Sequence, residues 1–290
     1  MSNLSICVAG CGTMGTGIAI VAARGGAKTT LYDLDKSRLE AAREQMSAFF
    51  AKSVARGKLN QTQVDDIMGR VSLATEPAEV ADSDLVIEAV FESLQVKGQV
   101  FQALHEYCGE HTLFASNTST LSITEIAAVS GRPDRFVGMH FCLPAQLMKL
   151  VEISPGINTS DASFAQAWDI CVQLGQKPVK TQDRPGFILN CFLVPFNNDA
   201  IRLVEQGVAE PAEIDKAIKG ALGYAMGPME LLDLVGLDTQ VLLCDALYGV
   251  THEPRAACPP LLRRMVAANR LGRKTQGGFL NYESNKIFGS

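Results

Sequence analysis

Apolar residues up to Lys180 fall into short continuous runs separated by longer stretches with helical spacing. Short apolar runs bounded by polar or glycine-rich segments are typical of buried strands. The alternation of these runs with helical stretches predicts one doubly wound sheet with an α/β architecture. The predicted strands are residues 4–9, 28–32, 71–73, 84–88, 113–116, 136–141 and 149–154.

The composition changes at residues 182–186, QDRPG, and no convincing strand follows. We therefore predict an α/β domain over residues 1–183 and an all-helical domain over residues 184–290. Mostly apolar helices of this kind commonly bury their surplus face against a second copy, so we expect a homodimer formed through the helical domain. The predicted helices of this domain are residues 186–206, 211–222, 228–248 and 260–269.

The stretch FVGMHFCLPAQLMKLVEIS, residues 136–154, contains two strand-like runs on either side of a segment broken by Pro144. If these runs pair as an antiparallel hairpin centred near Gln146, His140 lies directly across from Glu152, with β-carbons about 4.5–5.5 Å apart. A carboxylate beside an imidazole stabilises the imidazolium and orients the ring, as expected of a general base and its partner. The alternative is a buried pair that only holds the hairpin together.

The glycine-rich segment GCGTMG, residues 10–15, directly follows the first strand and opens a helix. In such a setting Gly10 permits a tight turn, Gly12 lets the backbone approach a pyrophosphate, and Gly15 lets the helix pack closely on the strand. The alternative, a turn that serves packing alone, does not explain the acidic residue that follows the second strand. The segment predicts a Rossmann-like dinucleotide site.

Asp33, placed after the second strand, would accept a hydrogen bond from a ribose 2′-hydroxyl and repel a 2′-phosphate. NAD is therefore favoured over NADP. The helix N-terminus that includes Met14 would offer unpaired N–H groups to the phosphates of the cofactor.

Other polar residues follow predicted strands, where ligands bind in open parallel sheets. Glu88, Glu92 and Lys97 are candidates after the 84–88 strand, although a salt bridge at a helix start explains the last two equally well. Asn117 and Ser119 follow the 113–116 strand. Helix capping, with Glu125 three residues on, explains Ser122 but does not require Asn117 or Ser119.

Asn190 lies among apolar residues of a predicted helix, where a buried amide needs a partner. Lys52 and Arg56, at the end of a long amphipathic helix, could contact an anionic ligand or form a solvated charged face.

The composition excludes several classes of function. The 290 residues carry a net charge of −5, which provides no basic surface for nucleic acid. Eight scattered cysteines without a CxxC motif indicate reduced thiols and no metal site. No apolar run is long enough to span a bilayer, and the chain enters a strand at once, so we expect a cytoplasmic protein without a signal peptide.

Seven motifs together resemble the L-3-hydroxyacyl-CoA dehydrogenase family, close to the bacterial 3-hydroxybutyryl-CoA dehydrogenases. The resemblance implies NAD-dependent oxidation of a 3-hydroxyacyl-CoA, as in fatty acid β-oxidation, and a helical dimerisation domain. The motifs are VAGCGTMGTGIA (8–19), DLVIEAVFESLQVK (84–97), FASNTSTLSI (114–123), HFCLPAQLMKLVE (140–152), PGFILN (185–190), GYAMGPMELLDLVGLD (223–238) and LGRKTQGGF (271–279).

The resemblance also implies roles for individual residues. The catalytic histidine of the family falls on His140 and its partner on Glu152, the hydroxyl-binding serine on Ser119 and the active-site asparagine on Asn190. The cofactor contacts of the family fall on Asp33, Glu92, Lys97, Asn117 and Lys274.

The basic residues that family members use for CoA correspond here to Lys52 and Arg56.

Five positions depart from the family pattern: Cys142, Leu143, Gln146, Cys191 and Leu280. These changes leave the His–Glu pair intact but alter its surroundings. We therefore predict a branched, cyclic or functionalised acyl group in place of plain 3-hydroxybutyryl. Two alternatives stay open at this point, a CoA-independent dehydrogenase of the carnitine or gulonate type and an inactive NAD-binding protein.

Overall fold

The computed structural model describes residues 4–282. The chain divides into two compact units, the first ending at Arg184 and the second beginning at Pro185.

Within the described residues, the first unit contains one eight-stranded sheet with the strand order β3-β2-β1-β4-β5-β6-β7-β8. Neighbouring strands run parallel except β6 and β7, which are antiparallel. The predicted Rossmann-like α/β fold is confirmed. The strands are β1 (Ser5–Ala9), β2 (Lys28–Tyr32), β3 (Val71–Ala74), β4 (Leu85–Glu88), β5 (Leu113–Ser116), β6 (Phe136–Phe141), β7 (Leu150–Pro155) and β8 (Lys177–Lys180).

Six α-helices connect these strands in the described part of the first unit. The predicted cap of α5 is confirmed, because the Ser122 side chain accepts from the Glu125 N–H. Asp35 caps α2 in the same way through the Ser37 N–H. The helices are α1 (Thr13–Arg24), α2 (Lys36–Ala55), α3 (Gln61–Met68), α4 (Leu94–His105), α5 (Ile123–Val129) and α6 (Asp161–Gln173).

The core of the first unit lies between the sheet and its helices. Ile6 and Val8 of β1 are fully buried, as are Val21 of α1 and Phe50 of α2. Apolar strands buried on both faces are typical of a parallel sheet, and this packing holds the ends of the strands in fixed positions.

The second unit consists of helices α7 (Leu189–Glu205), α8 (Pro211–Leu222), α9 (Pro228–Val235), α10 (Leu237–Thr251) and α11 (Pro260–Ala267). The prediction of one helix over residues 228–248 is wrong. Gly236 interrupts it with φ +105°, a backbone conformation that cannot continue a right-handed helix. The apolar periodicity continues across this residue, which is why the sequence pattern indicated a single helix.

The helix predicted over residues 186–206 begins three residues late, at Leu189. Gly186 and Phe187 both have positive φ, +82° and +47°, so the backbone enters the helix only after them. Val194, Ile201 and Leu237 are fully buried in a separate apolar core of this unit. Among residues 4–282, no helix combines the length and the apolar character needed to cross a bilayer.

Candidate active site

Most of the predicted site residues of the first unit lie at or just beyond the ends of strands at one edge of the sheet. Parallel strands β2, β1, β4, β5 and β6 are adjacent in this order, so their carboxyl ends lie together, where open α/β sheets bind ligands. β6 pairs with β5, and Gly138 of β6 lies opposite Ser116, the last residue of β5. His140 follows two residues later and so lies just beyond the end of β5.

The glycine loop has the geometry that a dinucleotide needs. Gly10 adopts φ +102°, and an added β-carbon would lie 2.8 Å from the Ala89 carbonyl oxygen. A β-carbon on Gly15 would lie 1.8 Å from the Gly10 carbonyl oxygen, so only glycine permits this packing. Around Gly12 the space is open, and no side chain caps the N-terminus of α1. These features fit a bound pyrophosphate.

Asp33 lies beside this loop. Its Oδ2 accepts a hydrogen bond from the Cys11 N–H at 3.0 Å, and its Oδ1 accepts from the Asp35 N–H at 3.0 Å. The carboxylate is thereby held in place next to the loop, as a ribose partner must be. Burial and the nearby Asp33 raise the pKa of Cys11 to about 12, so this thiol stays protonated near neutral pH.

Lys97 is buried between two carboxylates. Its Nζ donates to Glu88 Oε1 at 2.7 Å and lies 3.1 Å from Glu92 Oε2. Lys97 and Glu88 are 1% and 0% exposed. Burial raises the pKa of Glu88 even though Lys97, Ser116 and the Val90 N–H favour its charged form. Lys97 and Glu88 thus form a buried ion pair below the surface of the site.

Glu92 organises the loop that follows β5. Its Oε1 accepts hydrogen bonds from the Thr118 and Thr120 hydroxyls and from the Ser119 N–H, the last at 3.0 Å. Burial raises the pKa of Glu92, but Lys97 and the two threonine hydroxyls outweigh it and hold the pKa below its usual range. A charged Glu92 therefore fixes the backbone at Ser119.

Asn117, which follows β5, forms a hydrogen bond with the last residue of β6: its Oδ1 accepts from the Phe141 N–H at 2.8 Å. This bond holds the strand end that carries His140.

His140 and Glu152 are direct cross-strand partners of β6 and β7, so the predicted register is confirmed. His140 Nδ1 lies 2.7 Å from Glu152 Oε2, and the residues are 8% and 1% exposed. A hydrogen bond this short between buried groups orients the imidazole ring strongly. A contact at this distance between two buried side chains is compatible with a general base and its partner.

Two predicted site residues belong to the second unit. Asn190 lies in the first turn of α7 and is 9% exposed. Lys274 Nζ lies 2.6 Å from both carboxylate oxygens of Asp238, so this ammonium group is held by an acidic residue of its own unit.

Lys52 and Arg56, the predicted CoA contacts, are exposed at the end of α2. Neither forms an ion pair with another described residue.

Sequence reasoning missed the parts of the site that depend on long-range contacts. Thr118 and Thr120 bind Glu92, and their only signal was the polar run after β5. Asp183 was also missed; its carboxylate accepts from the N–H groups of Ile123 and Thr124 and so holds the start of α5. Within the described part of the chain, no three His, Cys, Asp or Glu side chains are arranged to hold a metal ion.

The fold and the glycine loop define a dinucleotide-binding α/β protein with a helical C-terminal unit. Residues 5–184 match the family model described as 3-hydroxyacyl-CoA dehydrogenase, NAD binding domain. Residues 186–282 match that of the C-terminal domain of the same enzymes.

Individual relatives are similar in sequence to this protein over nearly the whole chain. The chain is 39% identical over 283 residues to a probable 3-hydroxybutyryl-CoA dehydrogenase of Bacillus subtilis, covering 98% of this chain and 99% of the relative. It is 42% identical to the human mitochondrial hydroxyacyl-coenzyme A dehydrogenase, covering 96% and 91%. The crystal structure of (S)-3-hydroxybutyryl-CoA dehydrogenase from Ralstonia eutropha superposes with a TM-score of 0.91 at 34% identity, covering 98% and 100%.

The chain belongs to the 3-hydroxyacyl-CoA dehydrogenase family, as the sequence motifs predicted. It is therefore an oxidoreductase, and its first unit is the NAD-binding domain of that family.

Proposed function

We propose that this protein reversibly oxidises an L-3-hydroxyacyl-CoA to the 3-oxoacyl-CoA, with His140 as the general base and Glu152 as its partner. The observation that carries the proposal is the 2.7 Å contact between His140 Nδ1 and Glu152 Oε2, at the same edge of the sheet as the glycine loop. The names of the relatives, which include an (S)-3-hydroxybutyryl-CoA dehydrogenase, support the substrate class.

Each residue has a defined part in the proposed reaction. When bound, NAD accepts the hydride from C3 of the substrate or returns it. His140 takes the proton of the 3-hydroxyl group in oxidation and gives it back in reduction. Glu152, which is 1% exposed, stabilises the resulting imidazolium because a buried carboxylate next to a cation is weakly screened. Ser119 and Asn190 hydrogen-bond the reacting oxygens.

The remaining binding roles follow the same proposal. The glycine loop holds the cofactor pyrophosphate with Gly10, Gly12, Met14 and Gly15, and Asp33 holds the adenosine ribose.

Glu92, Lys97 and Asn117 act on the cofactor chiefly by fixing the loop after β5 and the end of β6. Lys274 is the cofactor contact from the helical unit. The exposed cations Lys52 and Arg56 bind the phosphates of CoA.

The helical unit also serves to form a homodimer. Several large apolar side chains of this unit are exposed in the single chain, and we infer that a second copy covers them, since large exposed apolar patches mark interaction sites. The most exposed are Phe192 (74%), Leu242 (65%), Val208 (64%), Val250 (64%) and Leu222 (55%).

The test is NADH oxidation by the purified protein with acetoacetyl-CoA, followed by NAD reduction with L- and D-3-hydroxybutyryl-CoA. We expect turnover of the thioester in both directions and of the L isomer only. The free acids acetoacetate, carnitine and gulonate are assayed as alternative substrates. Turnover of a free acid without turnover of any thioester would contradict the proposal and favour the CoA-independent alternative.

A further inference from the structure

Two cysteine side chains of the helical unit are in direct contact. Cys244, on α10, is fully buried in the apolar core of this unit. Cys258, between a short 3₁₀ turn (Pro254–Ala256) and α11, is half-buried and packs against the same core. The Cys244 thiol donates a hydrogen bond to the sulfur of Cys258. Neither residue has a part in the proposed reaction.

The path of the chain brings the two thiols together. α10 ends at Thr251, and His252 follows with φ +51°, a left-handed conformation that turns the backbone out of the helix. Cys244 lies about two turns before that end, roughly 10 Å along the helix axis. The chain returns through the 3₁₀ turn, which packs against α10, and so places Cys258 beside Cys244.

The segment that carries Cys258 is held in place by two side chains of α7. Asn198 Nδ2 donates to the Ala256 carbonyl oxygen at 3.2 Å. Arg202 Nη2 donates to the Ala257 carbonyl oxygen at 2.8 Å. Because the backbone just before Cys258 is fixed in this way, the two thiols meet without the closure of a loop.

The proton of Cys244 can be lost without leaving a buried acceptor unsatisfied. Cys244 Sγ lies 3.2 Å from Asn198 Oδ1, to which it can also donate. That oxygen has a second donor, because Gln240 Nε2 lies 3.1 Å from it. A reaction that consumes the Cys244 thiol therefore leaves Asn198 Oδ1 with a hydrogen bond, as a buried oxygen requires.

The surroundings of the pair favour a thiolate at Cys258. The hydrogen bond from Cys244 lowers the pKa of Cys258. The cations Arg263 and Arg202 lower it further, against burial and Asp245, which raise it. The same hydrogen bond raises the pKa of Cys244, so this thiol keeps its proton. The thiolate is the form of cysteine that reacts with oxidants.

Burial keeps several other thiols of the chain protonated. It raises the pKa of Cys11 and Cys171 to about 12 and that of Cys142 to about 11. Oxidation of a cysteine follows its thiolate character and its exposure. Cys258, which is half-buried, should therefore react ahead of these three thiols.

We propose that Cys258 and Cys244 form a reversible disulfide bond when the protein meets a hydroperoxide, and that this bond ties the segment before α11 to α10. The inference is independent of the proposed function, since it concerns residues of the helical unit that the reaction does not use.

The reaction has two steps. The Cys258 thiolate attacks one oxygen of the peroxide, the O–O bond breaks, and the leaving oxygen takes a proton from water, which leaves a sulfenic acid on Cys258. Cys244 then attacks the Cys258 sulfur: the S–S bond forms, the S–O bond breaks, and the hydroxyl group leaves as water with the Cys244 proton. The peroxide takes up the two electrons that the thiols lose.

The experiment treats the folded, reduced protein with hydrogen peroxide, blocks the remaining thiols with N-ethylmaleimide and maps the peptides by mass spectrometry. The reduced chain has eight free cysteines. We expect two of them to be lost in a cross-linked peptide pair that contains Cys244 and Cys258, and dithiothreitol should restore both. Because the bond closes a short loop, the thermal unfolding midpoint of the oxidised protein should rise by about 5–10 °C.

Three variants assign the two sulfurs. With Cys258→Ser, Cys244 should stay reduced under the same treatment. With Cys244→Ser, which keeps a donor for Asn198, Cys258 should be trapped by dimedone as the sulfenic acid, without a cross-link. Cys191→Ser removes an exposed thiol of the same unit and should cross-link as the wild type does. Thermal unfolding identifies a variant that fails to fold; if Cys244→Ser does, the half-buried position 258 carries the test alone.

Several outcomes would overturn the proposal. One is oxidation of Cys258 to the sulfinic acid without any cross-link to Cys244. Another is a mixture of disulfides among other cysteines in equal yield, because such a mixture shows thiols that meet in unfolded chains. A cross-linked protein whose unfolding midpoint is unchanged or lower would overturn the proposed tether between the segment and α10.

Discussion

His140 Nδ1 and Glu152 Oε2 lie 2.7 Å apart across the only antiparallel strand pair of the sheet described by residues 4–282. β6 ends at the edge where the parallel strands present their carboxyl ends, and β7 returns from it with the carboxylate in register. The pair is thus held by backbone pairing on both sides, so its geometry does not depend on a flexible loop.

We expect His140→Ala to reduce kcat with acetoacetyl-CoA by about 10²–10⁴-fold, the usual contribution of general acid–base catalysis. NADH affinity should hardly change, because the glycine loop is untouched. Steady-state kinetics and NADH fluorescence titration measure the two effects. The control is His111→Ala, since His111 is exposed. Near-normal turnover of His140→Ala would leave the pair with a structural role only.

Glu152→Gln keeps a hydrogen-bond acceptor at the same position but removes its charge. A hydrogen bond to a charged group contributes about 1.5–3 kcal/mol, so we expect kcat to fall roughly ten- to hundredfold because the imidazolium loses its partner. The KM for acetoacetyl-CoA should change little, and an increase in KM with unchanged kcat would argue against this role.

Asp33→Asn should weaken the discrimination between NAD and NADP. The amide oxygen can still accept from the Cys11 N–H, which is 3.0 Å from Asp33 Oδ2 in the wild type, but the charge that repels a 2′-phosphate is lost. We expect the kcat/KM ratio of NADP to NAD to rise about tenfold, equivalent to about 1.4 kcal/mol. Asp35→Asn, which retains a helix cap, is the control and should keep the wild-type ratio.

Lys52→Ala and Arg56→Ala should each raise the KM for acetoacetyl-CoA several-fold while kcat stays the same, because a contact with a distant phosphate stabilises substrate and transition state equally. Arg43→Ala is the control, since Arg43 is exposed on the same helix. Acetoacetyl-pantetheine, which lacks the nucleotide phosphates, should show the same KM with all four proteins. An equal increase in KM for both thioesters would mean that the two cations do not bind the phosphates.

Removal of Lys97 should destabilise the fold much more than removal of an exposed lysine. Lys97→Met leaves the Glu88 carboxylate, which is 0% exposed, without its cation, and breaking a buried pair from one side costs about 3–5 kcal/mol. Adding Glu88→Gln should restore a large part of the loss. Chemical denaturation gives the free energies of unfolding. Lys216→Met, in an exposed pair with Glu213, should cost about 0–1 kcal/mol. Equal losses for both lysines would contradict the buried-pair account.

The proposed homodimer predicts a sedimenting species of twice the chain mass of 31.1 kDa. Replacing Leu242 and Val250 of α10 together with lysine should shift it towards the single chain, because charges in an apolar interface are not solvated. Ile157→Lys is the control in the first unit, where Ile157 is 85% exposed. A wild type that sediments as a single chain at micromolar concentration would contradict the dimer.

Local signals predicted much of the fold and the pairing of His140 with Glu152. The register of His140 and Glu152 follows from two short strands and the intervening break at Pro144, and a pair twelve residues apart leaves few other registers. Ser122 was recognised as a cap because capping depends on residues three positions apart.

Features that depend on distant contacts could not be predicted in the same way. Lys97 of α4 is buried through its contact with Glu88 at the end of β4, and nothing in the spacing of the two residues distinguishes them from an exposed pair. Gly236 lies within a continuous apolar periodicity, and a distant residue fills part of the space around it: an added β-carbon would lie 3.1 Å from Lys274 Nζ, as well as 2.8 Å from Asp238 Oδ1.

The hairpin of β6 and β7 also bears on how such enzymes diversify. The proposed acid–base pair and the turn between its members occupy one uninterrupted stretch, Phe136 to Pro155. A single short recombination event in the gene can therefore replace the turn, including Cys142, Leu143 and Gln146, while His140 and Glu152 are inherited together. On the proposed mechanism, exchange of the turn alone would change the surroundings of the substrate and keep the residues that handle its proton.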